Sequence, residues 1–407
     1  MGNTNNNVLI TDPISSSARS RIALPIIRSL GRRNIGTTLL VQKGLVTPLF
    51  SRWHPKSVYC PSSFNNSEGF MTTLLQLVRS RRYTTIFPIS DSSLMLISQF
   101  RDQFTPYLKL ALPSHESVMK ALDKSQTMRA AEELGVPTPQ TYRPINMTEV
   151  RDVSTKLQYP AVIKPRKFFW GSNGKANFSR PIYVNNAREL ISTYLNVENN
   201  FPSSMIQEYV PGQNISVALL FDRGVPKAAC FIKVLRTKPV TGGDSVLRES
   251  IPPDPTLMKY STDLLKSLRW HGVAEVEFKL DSRDSTPKLM EINARFWGSM
   301  NVAIESGMDF PYLTYMLAKG EQIPAEFKYK CGVKFRWLNG DFQNLYSTLK
   351  GEPKLINTKS SNKLKAVLCF LKFYEKNIHY DGFELIDSLP FLMDEALFVH
   401  ETAMKMI

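Results

Sequence analysis

Two short segments on either side of a turn restrict this chain more than any other feature. Val273 to Leu280 (Val-Ala-Glu-Val-Glu-Phe-Lys-Leu) alternates apolar and polar residues and is rich in β-branched side chains, the pattern of a half-buried strand. Asp281 to Pro287 is rich in Asp, Ser and Pro and reads as a turn. Lys288 to Asn293 then reads as a second strand. Strand, turn, strand is an antiparallel hairpin, and it places Glu277 opposite Glu291 and Asn293. Residues two apart on a strand share a face, so Glu291 and Asn293 point the same way. Arg295, two residues further on, puts a fixed positive charge beside them. Two carboxylates and an amide oxygen form a hard-oxygen site of the kind Mg²⁺ takes, leaving its other positions to water and phosphate oxygens. A divalent cation beside an arginine suits phosphoryl transfer. The plainer reading is a charged, solvent-exposed hairpin face, and the rest of the chain decides between the two.

A chain of 407 residues provides for two or three domains with sizeable cores. Hydrophobic residues make up 43% and charged residues 21%, as in an ordinary globular protein. No apolar run reaches the roughly 18 residues that span a bilayer. The Asn-rich N-terminus has no basic segment followed by an apolar stretch, so no signal peptide is expected. Cys60, Cys230, Cys331 and Cys369 lie far apart without a C-x-x-C pair, which fits buried thiols in a reducing, cytoplasmic compartment better than a zinc site or a disulfide framework. The net charge of +15 attracts polyanions, acidic substrates or an anionic membrane surface. There is no concentrated basic stripe and no nucleic-acid motif, so no specific nucleic-acid partner is expected and a diffuse basic surface is the plainer account.

Along the first 112 residues, strand-like and helix-like segments alternate. Val8 to Asp12, Thr37 to Val41 and Thr84 to Pro88 read as strands. Ala18 to Leu30 and Phe70 to Ser80 read as helices, the first capped by Ser15-Ser16-Ser17 and stopped by Gly31. The alternation predicts a doubly wound parallel sheet, whose ligands sit at the carboxyl ends of strands: Asp12, and Ser90-Asp91. No G-x-G-x-x-G follows the first strand, so a dinucleotide site is poorly supported. Ser114 to Leu134 reads as helical, ended by Gly135-Val136-Pro137. A strand carrying Lys164 follows, then the Gly-rich basic loop Trp170 to Lys175, then Ser204 to Gly212, a strand running into a Pro-Gly turn. Ile215 to Phe221 and Ala228 to Leu235 read as a hairpin.

Singly these features are weak: Lys164 alone reads as a snorkelling lysine and Gly171 to Gly174 as a simple turn. Their order carries more. A strand lysine neutralises phosphate, a Gly-rich loop offers backbone N–H groups, an apolar hinge sandwiches a base, and a carboxylate hairpin brings a metal.

In this order the chain resembles the ATP-grasp superfamily, in its carboxylate–amine ligase and carbamoyl-phosphate-synthase-like branch related to biotin carboxylase. The resemblance runs through Ala121 to Lys124, Gly135 to Pro139, Pro160 to Pro165, Gln207 to Gly212, Gly272 to Phe278 and Glu291 to Ser299, and covers roughly residues 8 to 320. It implies an α/β N-terminal domain with a doubly wound parallel sheet (1–112), then an α+β ATP-grasp fold of two subdomains clasping ATP (113–203 and 204–325), then a C-terminal extension (326–407). It further implies that Lys124 and Lys164 bind phosphates, and that Gly171, Ser172, Gly174 and Lys175 belong to the loop closing over them. Glu208 and Val210, with Tyr209 between them, would contact adenine, and Gln213 would stand where relatives carry a ribose-binding acid. Glu277, Glu291 and Asn293 would hold Mg²⁺, for which Mn²⁺ can substitute. Arg295 would hold the γ-phosphate and a substrate carboxylate, and Arg248 would clamp that carboxylate. Phe168, Phe169 and Trp170 crowd the loop and either touch substrate or pack under it.

The implied reaction joins a small-molecule carboxylate to an amine through an acyl phosphate. A bicarbonate-activating, carboxylase-like or carbamoyl-phosphate-forming enzyme is a second reading, and a nucleotide-binding regulatory protein a third. Beyond residue 330, Val333 to Trp337 reads as a strand. The lysine and aromatic mix of Lys363 to Tyr374 suits weak contact with an anionic membrane surface, although a packed amphipathic element is the plainer expectation. The tail can equally cap the site or form a homodimer contact.

Overall fold

The computed structural model describes residues 6–12, 17–42, 44–166, 169–172, 175–178, 181–198, 204–240, 242–351 and 363–404. The chain opens with β1 (Asn7–Ile10), β2 (Gly36–Val41), β3 (Lys56–Tyr59) and β4 (Thr85–Phe87), a parallel sheet in the order β3-β2-β1-β4. Helices Ser17–Gly31, Ser67–Arg79 and Asp91–Gln99 follow β1, β3 and β4. Strand β3 carries no alternating apolar pattern because it is an edge strand with only Val58 half-covered, so its sequence gives little sign of it. The expected caps Ser15 and Ser16 lie outside the described residues.

The expected long helix 114–134 is two helices, His115–Leu122 and Lys124–Glu133. Asp123 leaves the helical conformation and its carboxylate accepts the backbone N–H groups of Ser125 and Gln126, the N-cap geometry that begins a new helix. The break matters for the site, because it makes Lys124 the first residue of the second helix.

A smaller antiparallel sheet follows. It contains β5 (Thr141–Tyr142) and β6 (Ala161–Lys164); beyond a separate hairpin of β7 (Phe169–Ser172) and β8 (Lys175–Phe178), it gains β9 (Ile182–Val184) and β10 (Met205–Glu208). Its order is β5-β10-β6-β9, over a core that includes Val150, Ile163, Leu190, Tyr194 and Ile206. Because β10 pairs with β5 and β6, this subdomain runs through Glu208, beyond the division expected at 203/204.

The large sheet contains β11 (Gly212–Asp222), β12 (Val225–Lys238), β13 (Asp244–Ile251), β14 (Gly272–Asp281), β15 (Pro287–Asn293), β16 (Lys334–Arg336) and β17 (Ile378–Tyr380). Its order is β15-β14-β11-β12-β13-β16-β17, so part of 326–407 continues the sheet rather than standing apart from it. Val217, Leu219, Phe221, Val276 and Phe278 share one buried core with Leu9, Phe70 and Ile86 of the first domain. Each such side chain contributes about 1.5–3 kcal/mol on burial. Among the described residues, no helix is long and apolar enough to cross a membrane.

Gly212, at the start of β11, has φ of +141°, and a Cβ built there would sit 1.9 Å from the Leu280 carbonyl oxygen. Gly212→Ala is therefore expected to destabilise the protein by about 1–3 kcal/mol through strain and backbone displacement. Urea unfolding checks this, and a change within a few tenths of a kcal/mol would contradict the geometry.

Candidate active site

Across the β14–β15 ladder, Glu277 pairs directly with Glu291, and Glu275 with Asn293. The Asn293 Nδ2 group donates to Glu277 Oε1 at 2.7 Å and Glu275 Oε2 at 3.0 Å, so its amide oxygen is the end left for a cation. Glu275 also accepts from Ser299 Oγ at 3.0 Å. Burial raises the proton affinity of both Glu275 and Glu277, and repulsion by Glu277 adds to it at Glu275. Glu275 escaped the reading of the sequence. Its only sign there is its position two residues before Glu277, which puts both on one face of the strand.

The cations come from three directions. The Lys124 ammonium pairs with Glu291. Lys164, the last residue of β6, is pushed down to about 7 by burial and by the nearby ammonium groups of Lys124 and Lys279. Burial also lowers Lys124, with Glu277, Asp91 and Arg295 in electrostatic range. Lys124, Lys164, Arg295 and Glu277 thus form one charged cluster. Among the described residues, no three His, Cys, Asp or Glu side chains gather as a metal cage. Two carboxylates and one amide oxygen grouped beside these cations nevertheless fit Mg²⁺, which needs few protein ligands.

Arg295 reaches back into the first domain. Its Nε donates to Asp91 Oδ1 at 2.9 Å and its Nη1 to the Phe296 carbonyl at 2.9 Å. Asp91 begins the helix capped by Ser90, whose hydroxyl accepts the Ser93 N–H at 3.1 Å and donates to Asp12 Oδ2 at 2.7 Å. Ser63 donates to the same carboxylate oxygen at 2.9 Å. The strand-end residues Asp12 and Ser90 thus form a buried network that fixes Asp91, and Asp91 aims Arg295. Asp91→Ala is expected to lower kcat by about 10–100-fold through misplacement of Arg295, with KM for nucleotide little changed. Steady-state kinetics check this, and an unchanged kcat would remove the positioning role.

Tyr209, with Gly212 just beyond it, opens onto a cleft of about 690 Å³. Asn214 and Lys279, paired in the β11–β14 ladder, line it, and the Lys279 ammonium lies 4.9 Å from the Tyr209 ring centre. Burial pushes Lys279 down to about 8. The opposite wall comes from the C-terminal segment, through Asn344, Thr348, Ala366 and Phe370. Gln213 also lines the cleft, but its side-chain amide donates to the Val234 carbonyl. The Glu208 side chain is held by Lys288 at 2.5 Å and Arg283 at 2.8 Å, which leaves backbone atoms as its means of meeting a base. Val210 is buried beside it.

Arg248, expected as a substrate clamp, is fully buried. It donates to the Gly298 and Ser245 carbonyls at 3.1 Å each and pairs with Asp381 from the C-terminal segment. Arg21 of the first domain lies 3.2 Å from the same Asp381 oxygen. The guanidinium of Arg248 is thus engaged in joining three parts of the chain. Gly171, Ser172 and Lys175 belong to the β7–β8 hairpin, with Gly171 opposite Ala176 and Ser172 opposite Lys175. Gly174 and the side chains of 167–180, Phe169 and Trp170 included, lie outside the described residues.

Residues 200–340 match a protein family described as ATP-grasp in the biosynthetic pathway with Ter operon. The carbamoyl phosphate synthase large chain of Pyrococcus furiosus is 24% identical over 207 residues, covering 49% of this chain and 18% of that protein, so the chain spans about a fifth of this relative's length. Among solved structures, the biotin carboxylase domain dimer of Hydrogenobacter thermophilus 2-oxoglutarate carboxylase, in complex with MgADP, ADP and bicarbonate, is similar with a TM-score of 0.62 and 15% identity. That likeness covers 81% of this chain and 73% of the other. An L-amino acid ligase from Bacillus licheniformis is similar with a TM-score of 0.58 and 16% identity, over 77% and 74% of the two chains. Residues 200–340 thus match an ATP-grasp family, and the two-sheet architecture has the fold of the biotin carboxylase domain and of the L-amino acid ligase.

Proposed function

We propose that this chain is an ATP-dependent ligase that joins a carboxylate to an amine. The observation that carries the reading is the pairing of Glu277 with Glu291 beside Asn293, within one charged cluster with Lys124, Lys164 and Arg295. Lys124 and Lys164 bind phosphate oxygens, and Arg295 stabilises charge at the γ-phosphoryl group and orients the substrate carboxylate. Glu277, Glu291 and Asn293 would hold Mg²⁺, which supplies charge neutralisation at the phosphates when bound.

A carboxylate oxygen attacks the γ-phosphorus, the bond to the β-phosphate oxygen breaks, and ADP leaves. The amine then attacks the acyl carbon of the acyl phosphate, inorganic phosphate departs with the electron pair of the broken C–O bond, and the amine proton passes to solvent or to a base. The β7–β8 hairpin, closing over the site, would keep water from the acyl phosphate.

Incubation with MgATP and panels of carboxylates and amines is expected to give ADP and phosphate with one matched pair. Absence of turnover across broad panels, with nucleotide still bound, would favour a regulatory role instead. The bicarbonate in the Hydrogenobacter relative favours a second reading, in which bicarbonate is the activated carboxylate. ADP release that depends on bicarbonate would identify it.

Lys164 gives this reading a pH signature. With the lysine lowered to about 7, its amine is largely neutral at pH 8, whereas phosphate oxygens favour the ammonium form. Nucleotide binding above pH 7 is therefore expected to take up a proton. Affinity should weaken by at most about tenfold per pH unit as pH rises from 7 towards the value in the complex. Calorimetry in buffers of different ionisation heat measures the uptake, and none at pH 8 would contradict it.

A further inference from the structure

The C-terminal part of the chain carries much apolar surface in water. Among the described residues, fifteen exposed large hydrophobic side chains lie at or beyond Phe342, against ten in everything before it. The helix Lys363–Phe370 packs against the helix Leu338–Lys350, with Phe370 meeting Phe342 edge-on, yet it has no buried residue. Leu364, Leu368 and Leu371 recur at helical spacing and are 68%, 54% and 57% exposed, and Tyr374, 98% exposed, extends the strip with Phe373. Lys363, Lys372 and Lys376 are interleaved with them, whereas Lys365 lines the cleft. The one acid in the stretch, Glu375, pairs with Lys334.

This strip is firmly mounted. Buried Arg336 of β16 donates to the Phe370 carbonyl at 2.6 Å and the Lys372 carbonyl at 3.1 Å. Its guanidinium lies 4.9 Å and 5.0 Å from the ring centres of Phe370 and Phe373, and Asp341 holds it at 2.6 Å.

Charge selects the occupant. The neighbouring helix Leu389–Met404 also exposes Leu392 and Val399, but it carries Asp394, Glu395 and Glu401, which an anionic surface would repel. The lysine-rich strip suits such a surface. We propose that residues 363–376 dock the protein on an anionic membrane, with the leucines and aromatic rings entering the boundary between headgroups and acyl chains and the lysines meeting lipid phosphates. The overall charge of +15 adds long-range attraction. The other side of the same helix, at Ala366 and Phe370, lines the 690 Å³ cleft, so docking would hold the cleft close to the lipid surface.

The test is flotation of the full chain with vesicles of phosphatidylglycerol and phosphatidylcholine, and with phosphatidylcholine alone. Binding to the anionic vesicles is expected, declining as salt is raised, with little binding to the neutral ones. Leu368→Glu with Leu371→Glu should lower partitioning at least about tenfold through lost apolar insertion. Lys363→Glu with Lys372→Glu should do the same through reversed charge, and both variants should keep the thermal midpoint because the altered side chains are exposed. No binding, equal binding to the two vesicle types, or indifference to both variants overturns the proposal. So does a dimer in sedimentation experiments that the leucine variant dissolves while vesicles stay unbound, which would assign the strip to a second copy of the chain.

Discussion

Arg295→Ala is expected to reduce ligase turnover by about 10³-fold or more, the scale on which an arginine stabilises charge in phosphoryl transfer. Two of its three guanidinium nitrogens are engaged by Asp91 and the Phe296 carbonyl, so the group is already aimed before any substrate arrives. Arg295→Lys keeps the charge but loses the planar fork, and should recover only part of the loss. Nucleotide affinity should change far less than kcat, because Lys124 and Lys164 remain. Single-turnover measurement of ADP release with a matched substrate pair distinguishes the two effects. Retention of full turnover in Arg295→Ala would remove the arginine from the chemistry and with it the proposed role of the hairpin.

Asp381→Ala is expected to destabilise the fold by about 3–5 kcal/mol, the cost of leaving a buried charge without its partner. Here two guanidinium groups are left unpaired, Arg248 and Arg21, both buried. Burial works against ionisation of Asp381, but Arg248 first and Arg21 next outweigh it and hold the carboxyl below its ordinary range. The sign of the pH dependence follows. A depressed carboxylate contributes stability above its unfolded value and loses it as pH falls through the folded one. The wild-type protein should therefore lose this contribution only in acid, and Asp381→Ala should lack that part of the acid limb. Urea unfolding as a function of pH measures both. A variant as stable as wild type at neutral pH would show that the ion cluster is dispensable.

The acidic hairpin was legible because period-two alternation and a turn of fixed length determine a register, and Glu277 does face Glu291. The strand–helix alternation of the first domain was legible for the same local reason. Contacts between distant segments were not. Asp91 and Arg295 are 204 residues apart and meet only because two domains pack together. Arg248 was expected as a clamp from the resemblance alone, but its partner Asp381 comes 133 residues later, so whether it was open to a ligand could not be read from its neighbours. Glu275 repeats the pattern of Glu277, and alternation alone does not say which of two acids is buried deeper. Strand β16 was legible within Val333 to Trp337, but its pairing with β13, and the three-residue β17 beside it, depend on segments far away in the chain and were hidden. The lysine and aromatic mix of Lys363 to Tyr374 was visible in the sequence, but whether its apolar side chains are covered depends on what lies beside them.

The junction of β13 with β16 has a practical consequence for shortened forms of the protein. Strand β13 is eight residues long, and β16 hydrogen-bonds along it from Leu247 to Glu249. A chain cut after residue 330 would uncover those backbone N–H and C=O groups as an open sheet border, a template on which other chains can add strands. Such a truncation should precipitate or form filaments even though Lys124, Lys164, Glu277, Glu291, Asn293 and Arg295 are all still present.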